Sequence, residues 1–177
     1  EYGRYGNPTA QVAERRLADL EGAEDGIVFA SGMSAITTTI LALVQSGDHI
    51  VFTDDSYKKT LEFCNSFLKK FHIDCTIVPF GNYRLLEEAV KKNTRFIVSE
   101  SPTNPYLNIF DLVQLRKIAV RHGILTLIDS TFSTPFNQRP IEFGIDLVLQ
   151  SATKYLAGHN DILAGAVLGR RDLIDKI

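Results

Sequence analysis

Short apolar runs alternate with segments of helical period along almost the whole chain, and this alternation restricts the fold more than any other feature of the sequence. The runs predict strands at Gly26 to Ala30, His49 to Thr53, Ile73 to Val78, Phe96 to Ser99, Ile124 to Ile128, Asp146 to Leu149 and Ile162 to Leu168. Between them the periodicity predicts a helix from Ala10 to Leu20, with Thr9 as its N-cap and Gly22 as its stop. Further helices are expected from the Ser31-Gly32-Met33 turn through Leu43, over Ser56 to Lys70, over Leu85 to Lys92, and over Leu112 to His122 before Gly123. Strands and helices in alternation form a mostly parallel central sheet with helices on both faces. The connection before Ile162 is too short for a crossover, so one antiparallel strand is expected there. There is no fixed-period repeat, low-complexity tract or internal linker, which implies a single α/β domain.

Several of the predicted strands end on residues that carry chemistry, and in open parallel sheets that edge is where ligands bind. The run Asp146 to Leu149 leads into Gln150-Ser151-Ala152-Thr153-Lys154-Tyr155, with Gly158-His159 following. A lysine aimed into a cleft there offers a nucleophilic amine, and Ser151 and Thr153 offer hydroxyl donors to a phosphate. Asp129 closes Ile124 to Ile128 and is suited to hold a pyridinium nitrogen protonated. A Schiff-base lysine and a pyridinium carboxylate are the two groups that pyridoxal chemistry most needs. Taken singly, each has an ordinary reading: a solvated lysine, a turn-capping aspartate. Their convergence on one edge is what points to pyridoxal 5'-phosphate.

Other segments fit the same edge. Ala30-Ser31-Gly32-Met33-Ser34 joins a strand to a helix, where free N–H groups and the helix dipole favour a phosphate. Tyr57, in Asp54-Asp55-Ser56-Tyr57-Lys58-Lys59, can stack on a planar ring, and Asn104, in Glu100-Ser101-Pro102-Thr103-Asn104-Pro105, can offer its amide to a ring oxygen. In the opening Glu1 to Thr9, Arg4 suits bidentate phosphate binding and Tyr2 adds a hydroxyl. No Gly-x-Gly-x-x-Gly fingerprint and no lysine after the glycine turn are present, which argues against dinucleotide and nucleoside-triphosphate binding.

The 177 residues carry a net charge of -2 and are 45% hydrophobic, enough for one core and without the basic excess of a nucleic-acid or membrane-surface binder. Cys64 and Cys75 lack metal or redox spacing and are expected to be reduced core side chains. The apolar run near Ile36 to Val44 is too short to span a bilayer. A cytoplasmic protein is expected, with an upstream transit peptide left open.

In this order, these segments resemble the Cys/Met-metabolism family of fold-type-I pyridoxal enzymes over nearly the whole chain; Ser151-Ala152-Thr153-Lys154-Tyr155 with Gly158-His159 is the most specific match. The resemblance implies an aspartate-aminotransferase-like large domain over residues 1–177, with an N-terminal arm over 1–9 and the family's C-terminal domain absent. It implies that Lys154 forms the Schiff base and shuttles protons, that Asp129 pairs with the ring nitrogen, and that Asn104 contacts the ring hydroxyl. Tyr57 would stack on the ring, Thr131 would lie beside it, and Gly32, Met33, Ser151 and Thr153 would hold the phosphate. Tyr2 and Arg4 would reach the site of a neighbouring subunit in a homodimer or homotetramer. The opening motif and Lys58-Lys59 look like plant-type cystathionine gamma-synthases. Many lyases have a glycine pair after the tyrosine, and methionine gamma-lyases have a cysteine at the position of Lys59. Gln150 stands where many members have histidine. The expected activity is gamma-replacement on an activated homoserine ester by cysteine. A cystathionine gamma-lyase and an O-acylhomoserine sulfhydrylase are alternatives within the family; a non-catalytic Rossmann-like nucleotide-binding module and a catalytically silent scaffold are alternatives outside it.

Overall fold

The computed structural model describes residues 2, 3 and 6–177. Its sheet has seven strands: β1 (Asp25–Phe29), β2 (His49–Thr53), β3 (Asp74–Val78), β4 (Thr94–Glu100), β5 (Leu125–Asp129), β6 (Leu147–Gln150) and β7 (Gly165–Gly169). They lie in the order β1-β7-β6-β5-β4-β2-β3, and only β7 runs antiparallel to its two neighbours, β1 and β6. The remaining pairings are parallel, so the expected mixed sheet with one reversed strand is present.

Alternate residues of the central strands enter two apolar cores, as the two-residue period of a strand requires. Ile50, Phe52, Phe96, Val98 and Leu127 pack on one face with α2 (Gly32–Leu43). Val51, Ile97 and Ile128 pack on the other with α4 (Tyr83–Glu88) and α5 (Leu112–His122). Near-continuous apolar strands are the expected result when a parallel sheet is buried on both faces.

Several boundaries differ from those the sequence predicts. The first helix, α1, is Pro8–Glu21, and its N-cap is Asn7, whose side chain accepts from Thr9 N–H at 2.9 Å and Ala10 N–H at 3.3 Å. Pro8 is pre-set for the first helical position, which makes the residue before it the cap. The segment expected as one helix over Ser56 to Lys70 begins at Lys58 as α3 (Lys58–Glu62), widens to a π-turn over Phe63–Phe67 and tightens to a 3-10 turn over Leu68–Phe71. This winding keeps Cys64 and Leu68 fully buried while Phe63, Phe67 and Phe71 stack in sequence, with centroids 5.3 and 5.2 Å apart. The helix expected over Leu85 to Lys92 is α4, set earlier by the Asn82 cap, whose side chain accepts from Leu85 N–H. The irregular stretch after β5 holds a short turn of helix, α6 (Thr134–Asn137), and a 3-10 turn (Pro140–Phe143). β7 starts at Gly165 rather than Ile162; Ile162 and Leu163 are exposed. At Gly165 the backbone passes so close to the Ser31 carbonyl that any Cβ would collide with it. A last short helix, α7 (Arg171–Ile174), follows β7.

Candidate active site

β2, β4, β5 and β6 all end at the same rim, and α2 begins beside them. The connections leaving that rim enclose a cavity of about 280 Å³. Its walls include Gly32, Met33, Tyr57, Asn104, Asp129, Thr131, Ser151, Thr153 and Lys154, nine of the positions to which the sequence points. Tyr2 is exposed and lies outside this lining, and Arg4 falls outside the described residues.

At the head of α2, Ser31 caps the helix: its Oγ accepts from Ser34 N–H at 3.0 Å and its carbonyl accepts from Ala35 N–H. Among the described residues, the N–H groups of Gly32 and Met33 have no acceptor, as expected for the first positions of a helix. A Cβ on Gly32 would stand 2.9 Å from Ser151 Cβ and 3.0 Å from its Oγ, so only glycine lets this turn close on the Ser151 segment. Two unpaired N–H groups, a twelve-residue helix dipole and the Ser151 hydroxyl make an anion cradle.

Asp129 ends β5. Its Oδ1 accepts from Thr131 N–H at 3.0 Å and Thr131 Oγ1–H at 2.6 Å, and no hydrogen bond to Oδ2 occurs among the described residues. The same Thr131 hydroxyl oxygen accepts from Ser151 N–H at 2.7 Å, tying the carboxylate to the loop that bears Lys154. Burial raises the Asp129 pKa, and the two Thr131 bonds oppose the rise. A cation in the cavity would favour its charged form.

Thr153 is committed elsewhere: its hydroxyl donates to the Ala164 carbonyl at 3.0 Å and accepts from Ala164 N–H at 2.9 Å, fastening the Lys154 loop to the approach to β7. Behind that loop, the buried Gln150 amide donates to Glu21 Oε2 at 3.4 Å. Asn104 faces the cavity with its backbone N–H donated to Glu100 Oε1 at 3.1 Å. Lys59 donates to Glu62 at 2.7 Å, and neither Lys58 nor Lys59 is in the lining.

The sequence pattern does not single out Glu100, although it lies in the cavity wall. It is the last residue of β4 and stands in register beside Asp129. Burial first, and the neighbouring Asp129 charge second, push its pKa up to about 8. The signal that could have found it is an acid closing an apolar run at the same rim as Asp129.

Residues 1–177 match the family of Cys/Met metabolism PLP-dependent enzymes. The chain belongs to that family. It is 48% identical over 178 residues to cystathionine gamma-synthase 1, chloroplastic, of Arabidopsis thaliana, covering all of this chain and 32% of that protein. Among solved structures, cystathionine gamma-lyase from Lactobacillus plantarum complexed with L-serine superposes with a TM-score of 0.94 at 39% identity, over 99% of this chain and 46% of that one. A Campylobacter jejuni structure with N'-pyridoxyl-lysine-5'-monophosphate superposes with a TM-score of 0.92 at 35% identity, over 97% of this chain and 42% of that one. The chain thus spans less than half the length of these relatives. They include synthases and lyases alike, so family membership leaves the reaction open. No helix among the described residues is long and apolar enough to cross a membrane.

The cavity fits the family's cofactor on its own geometry. The glycine-dependent cradle suits a phosphate, the open Asp129 Oδ2 suits a cationic ring nitrogen, and Lys154 supplies an amine without a hydrogen-bond partner among the described residues.

Proposed function

We propose that the protein of which this chain is part is a cystathionine gamma-synthase-like enzyme, which replaces the gamma substituent of an activated homoserine ester with cysteine to give cystathionine. The observation that carries the reading is the gathering of Lys154, Asp129, Tyr57 and the Gly32–Met33 cradle around one cavity. Lys154 would hold the cofactor through its Nζ, and Asp129 would pair with the ring nitrogen. Tyr57 would cover one ring face and Asn104 would meet the ring oxygen. Gly32, Met33 and Ser151 would hold the phosphate, with Thr153 shaping the loop that presents Lys154. When bound, pyridoxal phosphate supplies an electron sink for negative charge developing next to the substrate nitrogen.

The chain's own residues would do the rest. Once free, Lys154 Nζ would take a proton from the substrate's alpha carbon and then act at the beta carbon. Tyr57, a half-exposed residue of the cavity wall, would lend its hydroxyl as a second proton carrier and its ring as a cover for the reacting face. Lys58 and Lys59 favour the synthase over the lyases; one of them would meet the leaving group's negative charge after the Lys59–Glu62 pair opens. Tyr2, and Arg4 outside the described residues, would complete a partner subunit's site in a homodimer or homotetramer. Two free thiols fit a reducing compartment such as the cytoplasm.

The deciding assay uses the full-length protein with an activated homoserine ester, with and without cysteine. A synthase forms cystathionine with cysteine and releases little ketoacid without it; rapid ketoacid release from cystathionine alone would assign a lyase. Lys154→Ala is expected to abolish the visible absorbance band that borohydride removes from the wild type. Retention of a reducible band in that variant would overturn the Lys154 assignment.

A further inference from the structure

A buried carboxyl with an oxygen that nothing satisfies closes β4. Glu100 is 4% exposed; its Oε1 accepts from Asn104 N–H, and the Tyr57 backbone N–H lies close enough to the carboxyl to favour its charged form. Its Oε2 is buried in the cavity wall without a hydrogen-bond partner. Three segments therefore meet at one side chain: the start of α3, the loop after β4, and the end of β5, where Asp129 stands in register. The charged groups facing it are Asp129, Asp55 and, across the cavity, Lys154.

Two adjacent carboxyls that burial desolvates resist joint ionisation, and the proton goes to the one whose surroundings favour its charged form less. Asp129 accepts two hydrogen bonds from Thr131, one of them a short hydroxyl bond, and these favour its charge. Glu100 accepts one backbone N–H, from Asn104, which a neutral carbonyl oxygen can also serve, and its second oxygen is desolvated. Protonated, that oxygen carries an O–H in place of a negative charge that nothing around it would compensate.

We propose that Glu100 is a positioning residue, the neutral, proton-holding member of a Glu100–Asp129 pair, which fixes the backbone of Asn104 beside Tyr57 and leaves Asp129 as the charged member. What those three residues face rests on the cofactor reading above; the location of the proton does not.

The test compares full-length wild type with E100Q and E100A. In cofactor-free protein, infrared difference spectra between neutral and high pH should show a protonated-carboxyl C=O band that is lost on titration and is missing from E100Q. In cofactor binding, E100A should lose affinity about tenfold or more, the scale of one lost buried hydrogen-bonding group. E100Q, which keeps an acceptor and a donor in the same shape, should recover most of that loss. The proposal is overturned if the wild type lacks the band, or if E100Q binds as poorly as E100A. If E100A does not fold, the infrared comparison of the isosteric E100Q with wild type still decides the proposal. A wild type that takes up no reducible cofactor would sink the cofactor reading instead, and the infrared result would still decide where the proton sits.

Discussion

At the amino-terminal rim of the sheet His49 sits between Thr94 Oγ1 and Thr76 Oγ1, each 2.8 Å from a ring nitrogen, whereas at the carboxyl-terminal rim Glu100 Oε2 is equally buried and has no partner. Asp146, just before β6, repeats the first pattern: Oδ2 accepts from Thr126 N–H and Thr126 Oγ1–H, and Arg116 and Arg170 stand 3.4 Å from its oxygens. Asp129, at the opposite end of β5 from Thr126, keeps one oxygen open to the cavity. Both rims belong to the same strands, so strand chemistry does not separate them. Polar groups that are paired within the protein hold the fold together; polar groups left open at a concave rim are available to a ligand.

The largest effect that would test this contrast is Asp146→Ala. Removing a buried carboxylate that accepts from Thr126 and faces two arginines should cost about 3 kcal/mol in urea denaturation. Gly32→Ala should cost less, about 1 kcal/mol of stability, because Ser151 must shift to admit the methyl group. It should weaken cofactor uptake at least in proportion, since the cradle itself is disturbed. An Asp146→Ala change that costs nothing would erase the distinction between the rims.

A finer test lies in pH, where the rims pull in opposite directions. Burial lowers the His49 pKa, so its contribution is present above the unfolded value of 6.5 and is lost as pH falls below it. Glu100 is raised from 4.5 to about 8, so its contribution is present below 4.5 and is lost as pH rises towards 8. Denaturation of the cofactor-free protein across pH should show a loss between pH 4.5 and about 8 that Glu100→Gln flattens and an acid limb that His49→Gln flattens. An acid limb unchanged by that substitution would mean that His49 does not report the amino-terminal rim.

Much of the site is legible in the order of residues alone. Lys154, Asp129 and Asn104 follow apolar runs, and the parallel sheet places such run ends on one rim. The cap of α1 is less legible, because Thr9 is a good capping residue by type, while Pro8 makes Asn7 the better one by position. The segment after Tyr57 has helical period, but which turns widen depends on fitting Cys64 and Leu68 into a core built largely from distant strands. Thr153 has the chemistry of a phosphate donor, and its hydroxyl is taken by Ala164, eleven residues on. Glu100 escapes notice in the sequence because an acid at a strand end reads as solvated until its neighbours are known.

The order of residue types along the chain, with no further information, determined the α/β alternation, the single reversed strand and the identities of the amine and the carboxylate that close two of the strands, because these follow from local periodicity and side-chain chemistry. Tertiary structure alone decided which polar atoms are satisfied and which stand open, and which carboxyl of a neighbouring pair keeps its proton. Those properties depend on burial and on hydrogen bonds between segments far apart in sequence, and no local pattern encodes either.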